Sequence, residues 1–133
     1  YLRRFFHPIQ DWIGAHTADP ELQPFVLPLA KAFGRLQVAT GQIAKAGLKD
    51  PNEAAAASSE YLKLFALVAL AFLWARMAQT AMRQKDSSEP EFYEAKIKTA
   101  QFFMERVLPQ TGALLSSIMA GGSTLMNFSD DAF

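Results

Sequence analysis

The chain has no cysteine, two histidines and no excess of either charge. Without cysteine there is no disulfide framework and no thiolate chemistry. Thirteen basic residues offset thirteen acidic ones, so the clustered Lys and Arg of a nucleic-acid face are missing. The same balance disfavours electrostatic adhesion to an anionic membrane. The N-terminus "YLRRFFHP" lacks the long apolar core of a signal peptide, and a cytoplasmic location is expected. The glycines of "TGQIAKAG" and "AGGS" have neither the Walker spacing nor a strand–loop–helix setting, so no phosphate loop is read. Long apolar runs are also scarce. The longest stretch free of charged and polar residues, Leu64 to Ala75, holds 12 residues. At about 1.5 Å per residue it covers roughly 18 Å, where a bilayer core asks for roughly 20 apolar residues. It reads as a core helix with neighbours on every side.

The 133 residues are half apolar and one-fifth charged, which fits a single globular domain with a sizeable core. The chain opens on Tyr1 rather than Met, and a piece of a longer protein is expected. "ADPEL" offers Asp19 as a helix cap with Pro20 at the first helical position. "KDPNE" repeats this with Asp50 and Pro51, and Glu53 supplies a capping-box spacing. "SSEPE" offers Ser88 as cap with Glu91 three residues on. Gly47, "RQKDSS" and Gly121-Gly122 mark stops.

These signals predict three long helices, about 20–46, 51–85 and 89–121. The first carries Leu22, Phe25, Leu29, Phe33, Leu36 and Ile43 at helical spacing. The second carries two stripes, Tyr61, Phe65, Val68, Phe72 and Ala75, and Leu62, Ala66, Ala69 and Leu73. The third carries Tyr93, Ile97, Ala100, Met104, Val107, Leu114 and Ile118, with Glu94 and Lys98 as an i, i+4 pair on the wet side. Pro24 and Pro28 predict a bent or stepped start to the first helix. Pro109 predicts a kink in the third. Gly34 and Gly41 suggest close packing. Residues 1–18 read as an irregular lead-in with a short helix from about Pro8, and 123–133 as a tail. The fold class is all-α, an antiparallel up-and-down bundle of three long helices plus a shorter N-terminal segment, within one domain over 1–133.

Catalytic constellations are thin. His7 and Asp11 stand at i, i+4 without a third ligand, and a metal site is disfavoured. His16 reads as a loop histidine. Glu105 and Arg106 are adjacent and do not face each other on a helix; Arg106 is expected to meet another helix or domain. Arg76 is expected to pair with a carboxylate across the bundle or to reach solvent. No Ser-His-Asp arrangement is supported. No catalytic, cofactor or metal residue is assigned.

"EYLKLFALVALAFLWARMA", "FYEAKIKTAQFFMERVLPQT" and "AGGSTLMNF" with "DDAF", in that order, resemble the extra C-terminal domain of one branch of the acyl-CoA dehydrogenases. That branch includes the enzymes acting on 3-methylthiopropanoyl-CoA. The resemblance spans roughly Leu22 to Phe133 and is most specific over Phe92 to Pro109. It implies a parent oxidoreductase of fatty acid metabolism that uses FAD and a glutamate base. Both belong to the preceding core, and no stretch here matches their motifs. The chain is then a docking and assembly domain, not catalytic by itself. Its expected partner is the core of the same chain, within a homo-oligomer, and Phe5, Phe6, Trp12, Arg76 and Arg106 are the candidate interface. The alternative is a free-standing module holding an acyl chain or lipid in a cavity lined by Phe65, Phe72 and Phe103. Membrane attachment is the least favoured reading.

Overall fold

The computed structural model describes residues 2–122, so the expected tail 123–133 lies outside the described residues. All regular elements among them are helical. Helix α1 runs over Leu2–His16 without a break, with Pro8 inside it. The irregular lead-in is therefore not found over Leu2–His16. Pro8 leaves the carbonyl of Arg4 without its helical donor, but both residues are exposed, so water can serve that carbonyl. Ile9 is fully buried, and Phe5, Phe6, Trp12 and Ile13 pack around it on the core side.

Helix α2 covers Gln23–Lys49, three residues later than Pro20. The start is stepped, as the prolines predict. Asp19 Oδ1 accepts the Glu21 amide at 3.0 Å, and the Asp19 carbonyl accepts those of Leu22 and Gln23. The helix proper begins one turn on, with Pro24 in its first turn, where no amide is needed. Its inner face is Phe25, Val26, Leu29, Ala32, Phe33, Leu36 and Ala39. Gly34 and Gly41 do not serve close packing: a Cβ at either would meet nothing within 4 Å. Gly34→Ala is therefore expected to stabilise the chain by roughly 0.5–1 kcal/mol through helix propensity and unfolded-state entropy. Urea denaturation of the variant checks this, and a loss of stability would count against it.

Asp50 caps the next helix as expected, accepting the Asn52 amide at 3.0 Å. The helix expected over 51–85 is split, however, into α3 (Pro51–Ala56) and α4 (Ser58–Arg83). Buried Ala57 stands at the joint, its amide turned to the Ala54 carbonyl at 3.3 Å. Glu53 does not close a capping box. The Asp50 amide already bonds Ala46 O at 2.8 Å, and Glu53 Oε2 instead accepts the amide of Gly122 at 2.6 Å. That contact needs both terminal glycines. Gly121 has φ +74°, and a Cβ on Gly122 would stand 3.0 Å from Ala56 Cβ.

The third expected helix is also divided. Helix α5 covers Pro90–Phe102, and Glu89, not Ser88, precedes it, because Pro90 takes the first helical position. Five residues, Phe103–Val107, form a π-helical turn, and α6 follows over Gln110–Ala120. This turn is how the chain accommodates Pro109. The Leu108 amide reaches back five residues to the Phe103 carbonyl at 2.9 Å, and Phe103 and Leu108, five apart, are both buried. Thr111, fully buried, accepts from Arg35 Nη1 at 2.9 Å and donates to the Leu108 carbonyl at 2.8 Å. One guanidinium thus ties α2 to the break between α5 and α6. Elsewhere α2 and α4 meet directly, with Thr40 Oγ1 2.7 Å from the Tyr61 hydroxyl.

Candidate interaction surface

Helix α4 is apolar all round, and the side chains on its two faces differ in size. The buried face is Leu64, Val68, Ala71, Ala75 and Ala78, each with no exposure. The opposite face holds Leu62, Leu70, Leu73 and Met77, which are 66, 45, 51 and 42% exposed. From Ala71 onward α4 places alanine at its buried positions, with Phe72, Trp74 and Met82 half-buried beside them and Leu73 and Met77 outside. The alanines let α4 approach α2 closely. Nothing among the described residues lies over Leu62, Leu70, Leu73 and Met77 far enough to bury them. The neighbours expected on every side of Leu64–Ala75 are thus missing on one side, because α1, α2, α5 and α6 surround the rest of the helix.

The N-terminal aromatics do not cover that side. Phe5 stacks on Phe65 with ring centroids 4.2 Å apart. Phe6 meets Phe33 edge-on at 5.4 Å, and Trp12 meets Phe72 edge-on at 6.2 Å. All three are half-buried; Phe5 and Trp12 fasten α1 to the flank of α4 that carries the stripe Tyr61, Phe65 and Phe72, and Phe6 fastens it to α2. His16 is the last residue of α1 rather than a loop residue. Its ring tilts against Trp12 at 4.8 Å. The Trp12 Nε1–H donates to Gln79 Oε1 at 3.1 Å, which orients the Gln79 amide. The Gln79 NH₂ then faces His16 Nε2 at 3.2 Å and donates to it. Gln79→Leu should cost about 1 kcal/mol by removing both bonds. Chemical denaturation followed by Trp12 fluorescence measures it, and an unchanged midpoint would show that the pair contributes nothing.

Two grooves lie beside the exposed stripe where α4 meets the divided third helix, one toward each end of α4. One, of about 500 Å³ between α4 and α5, is lined by Leu73, Arg76, Met77, Phe92, Tyr93 and Lys96. The other, of similar volume between α4 and α6, is lined by Lys63, Ala66, Leu67 and Leu114 among others. Arg76 is exposed, with its guanidinium 5.4 Å from the Phe72 ring centre. Lys96 stands 5.2 Å over the Phe92 ring. Among the described residues the ion pair is Glu94–Lys98 at 3.3 Å. Arg76 therefore reaches solvent over an aromatic ring instead of bridging to a carboxylate. Arg106 is exposed in the π turn beside Glu105, also exposed. His7 and Asp11 are exposed, and no group of three or more potential metal ligands occurs among the described residues.

Helix α4 is also long and apolar enough to cross a membrane by length and composition. The 12-residue run understates it, because the helix has 26 residues and its best 18-residue window has mean hydropathy 1.6, with 28% of that window buried.

The exposed stripe was legible only as apolar spacing. The sequence pairs Leu62 with Ala66, Ala69 and Leu73, but it carries no sign that this stripe faces outward. Compared with known families, residues 5–129 match the sequence model described as acetyl-CoA dehydrogenase C-terminal like. No curated protein matches the chain.

Proposed function

The chain belongs to the acetyl-CoA dehydrogenase C-terminal-like family, and from that premise we propose that it is the accessory docking domain of a flavin-dependent acyl-CoA dehydrogenase. The observation that carries the reading is the outward-facing Leu62, Leu70, Leu73 and Met77 on α4. Large apolar side chains in one contiguous stripe mark a surface that another surface covers. The covering surface is the catalytic core of the same polypeptide, and the domain supports assembly of the enzyme without taking part in its chemistry. FAD and the catalytic base reside in that core. No constellation among the described residues suits either. The enzyme works in the cytoplasm as a homo-oligomer, on substrates of the 3-methylthiopropanoyl-CoA kind. The domain itself is an up-and-down bundle: Leu22 lies beside Met82 at one end of α2 and Thr40 meets Tyr61 toward the other, the order expected of α2 and α4 running in opposite directions. A free-standing acyl-binding module has less support, because Phe5 and Trp12 fill the space beside Phe65 and Phe72.

The test uses the full-length polypeptide. Leu70→Asp with Leu73→Asp should leave the helical circular dichroism of the isolated domain unchanged. In the full-length protein it should speed proteolytic release of the domain by about tenfold or more, equivalent to about 1.4 kcal/mol of lost docking. An unchanged release rate would show that this face is not the docked one.

A further inference from the structure

We infer that the surface docked on α4 is an α-helix with an apolar seam flanked by carboxylates. This deepens the docking reading above and rests on it. Two independent features of the face lead to it.

The first is spacing. Ala66, Leu70, Leu73, Met77 and Thr80 are exposed and recur at steps of four, three, four and three. A seam at an average of 3.5 residues is the pattern by which one helix packs side by side with another, knobs into holes. The grooves beside it, against α5 toward one end of α4 and against α6 toward the other, give the flanking residues of such a helix somewhere to lie.

The second is charge. The domain is neutral, yet the charged residues that line the two grooves of this face are all cationic. Lys63 borders the α6 groove, and Arg76 and Lys96 border the α5 groove. The remaining charged residues of α4 are Glu60 and Arg83. Glu60 is half-buried with one carboxylate oxygen enclosed and without a partner among the described residues, so it does not offset the rim. Helix α6 carries no charged residue. On α5, Glu94 is engaged with Lys98; Glu91, and Glu89 just before the helix, line a neighbouring hollow that meets the α5 groove at Phe92, and neither carboxylate lines the groove itself. Arg76 and Lys96 are held over aromatic rings, which leaves their hydrogen-bond donors available to an incoming acceptor.

A second copy of this face would bring cation to cation, which is disfavoured. An anionic bilayer would accept the same signs. An interfacial membrane helix, however, carries a polar face rich in Lys and Arg, and here three cations border a stripe whose opposite face is buried in protein. A helix with Glu or Asp beside its apolar seam answers both features.

Zero-length carbodiimide coupling in the full-length polypeptide tests this, because it joins an amine to a carboxylate only where the two touch. Lys63 and Lys96 should couple to Asp or Glu residues of one core helix. Lys96→Arg should remove its own product while leaving that of Lys63. Arg76→Glu with Lys96→Glu should raise the rate of proteolytic domain release by about tenfold. A photoreactive Leu70→p-benzoylphenylalanine variant separates the two levels of the argument. Photo-cross-linking to the core, without carbodiimide products and with charge reversal silent, overturns the acidic helix and leaves the docking reading standing. Photo-cross-linking only to a second copy, or to nothing, overturns both. So does sedimentation of the full-length protein with phosphatidylserine vesicles that is lost on the same charge reversal.

Discussion

Phe25→Ala is expected to cost the chain about 3–5 kcal/mol, because a fully buried aromatic leaves a cavity that its neighbours cannot fill. Phe25 has no exposure and lies in the first turn of α2, which is pinned by the Asp19 turn and by Pro24 and cannot shift inward. Phe72 carries a comparable aromatic payload but is half-buried at the α1–α4 boundary, so Phe72→Ala should cost clearly less. Guanidinium denaturation of the two variants side by side gives the comparison. If Phe72→Ala proves the more damaging, the centre of the core lies at the α1–α4 contact and not under α2.

Ala75→Leu should be destabilising by about 1–3 kcal/mol, the usual cost of forcing extra methylenes into a filled interior. Leu73→Ala, two residues away, should change the stability of the isolated chain by less than about 0.5 kcal/mol, as exposed positions do. The contrast runs against ordinary expectation, in which adding leucine to a helix helps and deleting it harms. It follows from Ala75 having no exposure while Leu73 is 51% exposed. In the full-length polypeptide Leu73→Ala should become costly, because there the face is covered. Thermal unfolding of both variants in both contexts checks the pair. Equal effects of Leu73→Ala in the two contexts would detach the exposed stripe from any docking role.

That contrast shows where sequence reading stops. The helical class, the Asp50 cap, the stop at Gly121-Gly122 and the Glu94–Lys98 pair follow from local rules that operate within a turn or two, and they appear in the structure. The orientation of α4 does not follow from such rules. When both faces are apolar, polarity carries no direction, and side-chain size decides which face lies inward. The break at Ala57 leaves no mark either, since "AAAASS" contains nothing that stops a helix. It depends on tertiary contacts, above all on Glu53 reaching Gly122 across 69 residues of chain. The stepped start of α2 and the disturbance at Pro109 were legible because proline acts locally. The form of the second, a π turn in place of a bend, was not. It depends on Phe103 and Leu108 both finding places in the core.

The π turn also bears on chain length. A turn closed by a bond over five residues holds one residue more than an ordinary helical turn, so Phe103–Val107 acts as a built-in insertion between α5 and α6. It lets the two helices be phased separately, with Tyr93 and Ile97 on one and Thr111 and Ile118 on the other all turned inward. A chain with one residue fewer at this point could keep both helices seated by closing an ordinary turn. A one-residue deletion within α4 would rotate everything beyond it by about 100°, bringing Phe72, Arg76 and Gln79 to the buried places of Ala71, Ala75 and Ala78. The domain therefore has a place where its sequence can lose a residue without reordering the core, and that place lies beside Pro109.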